Sequence, residues 1–349
     1  MKCCINCFKD SVIRNKILSY GEIGDCDFCS SRKTSVIDLS EPGNSLSDKI
    51  ISLIQIYNPS DKPDARFLKE ALRDDWDIFC GGAEGIDTLV KAICSPELSA
   101  NDPLFTQRVS VGLFEDTEFI KDNSVVSGIT WTQFSDTIKN GNRFFNNQFN
   151  SDAFASIISK AVKVYDKGDK FYRARITSTS AGFNCDQMYA PPIGKRSAGR
   201  VNPEGIGVLY LSTDDKTVLN ETRVTAYDYV TIGTFTNKQT LKIINLSEIS
   251  RMSPFLYEDD YERYALNREI FMEMASDFAK PVRRNDSSLE YLPTQFISEF
   301  VKSEGYDGVQ YDSTLREGGI NIALFNEDLV ECISVKTIEV VNVNYDTKE

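Results

Sequence analysis

The chain has 349 residues, of which 41% are hydrophobic and 26% charged, a balance that excludes a disordered chain and leaves room for roughly two or three domains. Thirty-nine basic against fifty-two acidic side chains give a formal charge of -13, so the average surface repels phosphate backbones and anionic lipid. Histidine is absent from the whole sequence, which removes Ser-His-Asp and Cys-His nucleophiles, HExxH metal hydrolysis and any imidazole base.

The chain opens with "MKCCINCFKD", which lacks a signal-peptide core, and no apolar run approaches the ~18 residues of a membrane span. A cytoplasmic location is the expectation. Cys4, Cys7, Cys26 and Cys29 form two C-x2-C knuckles, a spacing that suits tetrahedral thiolate ligation of Zn²⁺. Four ligands leave no open position, so the expected metal is structural, within a zinc-binding region over 1–40. Cys3 is a poorer alternative to Cys4.

Residues 41–165 read as a small all-α domain. "SLSDKIISLIQIY" places Ile50, Leu53, Ile54 and Tyr57 on one helical face, and "DARFLKEALRDDW", "EGIDTLVKAIC" and "SDAFASIISKAVKVY" repeat the pattern. Helical domains of the HEPN kind can carry a ribonuclease motif, but "NGNRFFNN" cannot complete one without histidine. Gly168 ends the helical pattern, and a boundary is expected near 166.

Residues 166–349 read as mixed. Strands are expected at "KFYRARI", "GVLYLS", "DYVTIGTF", "LKIINL", "YDGVQY", "INIALF" and "ECISVKTIEVV", with helices near 215–224, 258–276 and 293–303. The order does not alternate regularly, which favours an α+β fold over a doubly wound sheet. "GIGVLY" and "IGKRS" both fail as nucleotide fingerprints. The basic stretches "GKRSAGR" at 194–200 and "PVRRND" at 281–286 suit one small anion or plain solvation. Within "GRVNPEGIGVLYLSTDDKTVLNETR", Asp214 or Asp215 can cap a helix that buries Val218 and turns Glu221 toward the sheet. Tyr210 stands on the preceding strand, and Arg200 in a loop able to reach the same place. Spacing alone leaves two readings open: a site, or a loop cation, a core aromatic and a surface acid.

The region 170–330 resembles the RES family, the toxin half of bacterial RES–Xre toxin–antitoxin pairs. The resemblance rests on "GRVN" with Arg200 and Asn202, "GVLY" with Tyr210, "TVLNET" with Glu221, "YDST" with Ser313, "INIALF" with Asn321 and "FYRAR" with Arg173. It implies an ADP-ribosyltransferase-like RES catalytic domain over 166–349 that consumes NAD⁺ by cleaving the nicotinamide–ribose bond. Glu221, Arg200, Tyr210 and Ser313 are the implied catalytic residues, with Arg173, Asn202 and Asn321 binding substrate or holding the scaffold. Val201 departs from the family, which usually has tryptophan there. The zinc and helical region is similar to N-terminal domains of a longer RES subgroup. The implied function is an NAD⁺ glycohydrolase or phosphorylase acting as a toxin or defence effector. ADP-ribosyl transfer to a macromolecule and a non-catalytic zinc-stabilised module are the alternatives. Besides NAD⁺, a protein inhibitor (antitoxin) or activator is the implied partner, with homo-oligomerisation left open and neither nucleic acid nor membrane expected.

Overall fold

The computed structural model describes residues 1–40, 45–112, 116–249, 251–256, 261–280 and 288–343. Contacts divide the chain into two compact units, one of Met1–Ser124 with Met252–Asn267, the other of Val125–Arg251 with Arg268–Glu349. No helix among the described residues is long and apolar enough to cross a membrane.

In the first unit, strands β1 (Lys2–Cys4), β2 (Ile23–Gly24) and β3 (Thr34–Asp38) form a small sheet in the order β1-β3-β2. Helix α1 (Ser11–Ser19) lies between β1 and β2 in sequence; Asp10 caps it by accepting from Ile13 N at 2.9 Å. The segment expected to be purely helical holds α2 (Ser45–Ile54), α3 (Leu68–Trp76), α4 (Ala83–Cys94), α5 (Pro103–Thr106) and α6 (Thr117–Asn123). It also folds β4 (Tyr57–Pro59), β5 (Arg66–Phe67) and β6 (Arg108–Val111) into a second sheet, so the all-α expectation is corrected there. Tyr57 leaves the face of α2 for β4, where its hydroxyl accepts from Trp76 Nε1 and donates to Asp75, both at 2.8 Å.

The second unit begins with α7 (Trp131–Asn140) and α8 (Ser151–Ile158). A capping box of Thr130 and Gln133 starts α7, and Asn150 caps α8. These two helices precede the boundary expected near 166, yet they pack in this unit through a cluster of phenylalanines. The Phe149 ring meets Phe154, Phe296 and Phe300 edge-on at 5.1–5.4 Å, and Phe134 meets Phe296 at 5.5 Å. Phe296 and Phe300 belong to α12 (Leu292–Ser303).

The unit's main sheet has eight strands: β7 (Val162–Tyr165), β8 (Lys170–Thr177), β9 (Leu209–Ser212), β10 (Tyr229–Asn237), β11 (Leu241–Asn245), β12 (Gly308–Asp312), β13 (Ile320–Leu324) and β14 (Val330–Glu339). Their spatial order is β14-β10-β8-β9-β13-β12-β11-β7, antiparallel throughout except for the β11–β12 pair. The remaining helices are α9 (Asp215–Thr222), α10 (Leu246–Ile249) and α11 (Tyr261–Ala279), the last with residues 268–279 in this unit. One face of the sheet buries Phe171, Leu209, Leu211, Phe235, Ile322 and Leu324. The mixed order of strands and helices is the α+β arrangement expected for this half.

One irregularity decides where a ligand can sit. β8 and β9 pair only at Tyr172 and Ser212. Continued pairing would set Arg173 and Ala174 against Leu211 and Tyr210, but the two strands part there.

Candidate active site

A cavity of about 300 Å³ opens where β8 and β9 separate, lined by Arg173, Arg200, Tyr210, Glu221, Tyr311 and Asn321 among others. Glu221 enters it through the construction of α9. Asp214 caps that helix by accepting from the backbone N–H groups of Lys216 at 3.1 Å and Thr217 at 3.0 Å. Thr217 and Val218 are buried, and Glu221 follows them by four and three residues, so it shares their inward face. Its Oε1 accepts from Ser313 Oγ at 2.6 Å and Asn321 Nδ2 at 2.7 Å. Asn321 is oriented in turn by Ser212 Oγ, which donates to its Oδ1 at 2.8 Å. Oε2 of Glu221 has no protein partner among the described residues and is available to a ligand.

Arg316 ties the Ser313 loop to the same helix. Its Nη1 pairs with Asp214 Oδ1 and donates to Thr217 Oγ1 at 2.9 Å. The two donors to Glu221 therefore come from a strand and from a loop fastened to the carboxylate's own helix.

The wall opposite is the 199–206 loop, which is held from several sides. Tyr210 Oη donates to Asn202 Oδ1 at 2.7 Å and accepts from Val201 N at 3.1 Å. Asn202 Nδ2 reaches the carbonyls of Ser197, Pro203 and Ile206. From α12, Gln295 Nε2 donates to the Gly199 carbonyl at 2.7 Å and Thr294 Oγ1 to that of Arg200 at 2.7 Å. Gly199 is required because a Cβ there would stand 2.5 Å from Tyr210 Oη. Burial keeps the Tyr210 phenol protonated far above neutral pH. Val201 is 1% exposed.

The two arginines differ in what they have free. Arg200 already donates to the carbonyls of Phe278, Ala279 and Lys280 at the end of α11, and lies over the Tyr311 ring at 5.3 Å. It has five N–H donors, so these bonds do not exhaust the fork of a residue that lines the cavity. Arg173 is the reverse case. Its Nη1 is buried with no hydrogen-bond partner, while burial and the neighbouring Arg175 draw its pKa down to about 10 against the pull of Glu327. A buried donor on a cation without an acceptor is costly. Arg175 turns away, over the Phe183 ring at 4.4 Å.

Of the residues singled out in the sequence, Arg173, Arg200, Tyr210, Glu221 and Asn321 line one cavity. Ser313 stands behind Glu221, and Asn202 behind Tyr210. Ser212, Tyr291 and Tyr311 also line it and were not among the candidates. Period-two alternation could have found two of them, since Ser212 follows Tyr210 and Tyr311 precedes Ser313 by two residues. The basic stretch at 281–286 lies outside the described residues.

In the first unit, the sulfurs of Cys4, Cys7, Cys26 and Cys29 gather within 4.8 Å of one another. Adjacent pairs are 4.0, 3.4 and 3.5 Å apart, close to the ~3.8 Å edge of a tetrahedron with metal–sulfur bonds near 2.3 Å. Backbone N–H groups of Phe28 and Cys29 point at Cys26 Sγ at 3.4 Å, as thiolate acceptors require. Without a cation, burial pushes the Cys4 and Cys7 thiols up. The residues fit a four-coordinate zinc.

Residues 170–345 match the family model described as RES domain. A search of curated proteins gives no match. Among solved structures, a chain of the crystal structure of the M. tuberculosis MbcT-MbcA toxin-antitoxin complex is similar at 14% sequence identity, covering 53% of this chain and 91% of that chain, with a TM-score of 0.32. The family match spans every residue of the cavity described above, from Arg173 to Asn321, and this chain belongs to the RES domain family.

Proposed function

We propose that the protein is an NAD⁺ glycohydrolase that depletes NAD⁺ as a toxin or defence effector. The observation that carries the reading is the Glu221 carboxylate, fixed through Oε1 by Ser313 and Asn321, with Oε2 unpartnered, in the lining of a cavity that includes Arg173, whose buried Nη1 has no partner. Nicotinamide is cationic while attached and leaves neutral with the electron pair of the C–N bond, so no general acid is needed. This suits a chain without histidine. The barrier is the oxocarbenium-like charge left on ribose, which a preorganised carboxylate stabilises. Water then adds at the anomeric carbon and loses a proton, giving ADP-ribose, nicotinamide and H⁺.

In this reading Arg173 is the first choice for the pyrophosphate, with the open side of Arg200 assisting. Tyr210 and Asn202 hold the loop wall, and Ser313 and Asn321 hold the carboxylate. Residues 166–349 supply the catalytic chemistry, and Cys4, Cys7, Cys26 and Cys29 bind Zn²⁺ structurally. The test is chromatographic: purified protein with NAD⁺ labelled in its adenylate half should release nicotinamide and leave the label in small products. Label on a macromolecule would favour ADP-ribosyl transfer. Intact NAD⁺ with folded protein would exclude both.

A further inference from the structure

Tyr311 on β12 is 5% exposed and lines the cavity, yet its hydroxyl has no hydrogen-bond partner among the described residues. In the sheet it stands opposite Asn321 of β13, and Asn321 stands opposite Ser212 of β9. Opposed residues of an antiparallel pair project from one face with Cβ atoms about 4.5–5.5 Å apart, so the three form a row. Asn321 donates to Glu221 at 2.7 Å, which places Tyr311 beside the carboxylate. The ring itself is pinned, with the Arg200 guanidinium 5.3 Å above it and the Phe278 ring 6.2 Å away. Burial holds the phenol at about 12, so at neutral pH it presents a proton to the cavity. A fixed, buried donor lacking a protein acceptor, next to a carboxylate lacking a protein donor on Oε2, calls for a ligand group that serves both.

A sugar hydroxyl is such a group, because its oxygen accepts while its proton donates. Building on the NAD⁺-cleaving reading, we infer that Tyr311 is a substrate-contacting residue whose hydroxyl donates to a hydroxyl oxygen of the nicotinamide ribose. That sugar is chosen because the atom set at Glu221 is its anomeric carbon, and its own hydroxyls are the nearest ones. Tyr311 thereby discriminates an intact ribose from a deoxy sugar, a task that neither arginine performs.

The experiment compares the full chain with Y311F, which keeps the ring under Arg200. Nicotinamide release is followed on NAD⁺ and on two analogues lacking the 2′- or the 3′-hydroxyl of the nicotinamide ribose. On NAD⁺, kcat/KM should fall about threefold to tenfold. On one analogue Y311F should match the unsubstituted chain, since the accepting oxygen is already gone. The inference is overturned if Y311F is undiminished on NAD⁺, or if it loses the same factor on all three substrates, the pattern of general damage. Unsubstituted protein that releases no nicotinamide overturns the NAD⁺-cleaving reading and this inference with it. An active chain with an indifferent Y311F overturns this inference alone.

Discussion

Arg173→Met separates a ligand-binding arginine from a structural one. The buried Nη1 has no acceptor, and methionine fills the space of the aliphatic stem without the charge. Leaving such a donor unsatisfied costs about 1–3 kcal/mol, more when it is charged, so its removal should leave the ligand-free protein as stable or ~1 kcal/mol more stable. For a domain of this size, that is a rise of roughly 2–4 °C in Tm. The folded pKa, about 10, lies below the ordinary arginine value. Between those two pKa values the unfolded chain binds more protons, so stability rises with pH there, and the cost is in full force at neutral pH. Ligand binding should move the opposite way. Losing a charge-assisted hydrogen bond to a phosphate oxygen removes about 1.5–3 kcal/mol, a roughly tenfold to hundredfold higher Kd for NAD⁺. Thermal melting and titration calorimetry in a Glu221→Gln background, where turnover is suppressed, measure both. A variant that melts several degrees lower and binds NAD⁺ as before would make Arg173 a structural strut and not a ligand-binding residue.

Ser313→Ala removes one of the two donors to Glu221 Oε1 and should lower kcat about tenfold or more with little change in melting temperature, as steady-state nicotinamide release would show. Tyr210→Phe strands the Val201 N–H and Asn202 Oδ1, so denaturant melts should report a loss of about 1–3 kcal/mol, and crystallography a displaced 199–206 loop. Elemental analysis should find one zinc per chain, lost together in Cys7→Ser, and chelation should unfold the first unit, as limited proteolysis within 1–40 would reveal.

Much of the site was legible because it depends on local rules. Asp214 as a cap, followed by Val218 and Glu221 at helical spacing, fixes where the carboxylate turns before any tertiary contact is known. The strands from β8 to β14 carry β-branched and aromatic residues between turn signals, and all seven expected in the C-terminal half are present. What stayed hidden depends on register. Nothing in "FYRAR" announces that β8 leaves β9 after one pair, and that parting creates the cavity. Arg200 read as a free loop cation, whereas its carbonyl partners on α11 lie about eighty residues away in sequence. Nothing in "YDGVQY" marks Tyr311, whose ring is core, and only its pairing with Asn321 sets its hydroxyl beside Glu221. The small sheet β4-β6-β5 escaped because β5 has two residues and β4 three, too short for period two to register. Likewise α7 and α8 joined the second unit through Phe149, a loop residue outside the helical pattern.

In the proposed reaction a positioned Glu221 carboxylate stabilises the charge that develops as the nicotinamide–ribose bond of NAD⁺ breaks. The decisive comparison is nicotinamide release by purified chain and by Glu221→Gln, whose side-chain oxygen can still accept from Ser313 and Asn321. Turnover is expected from the unsubstituted chain, with a loss of roughly a hundredfold or more in the variant at unchanged melting temperature. Equal rates in the two proteins, or no nicotinamide from either, would contradict the proposed reaction.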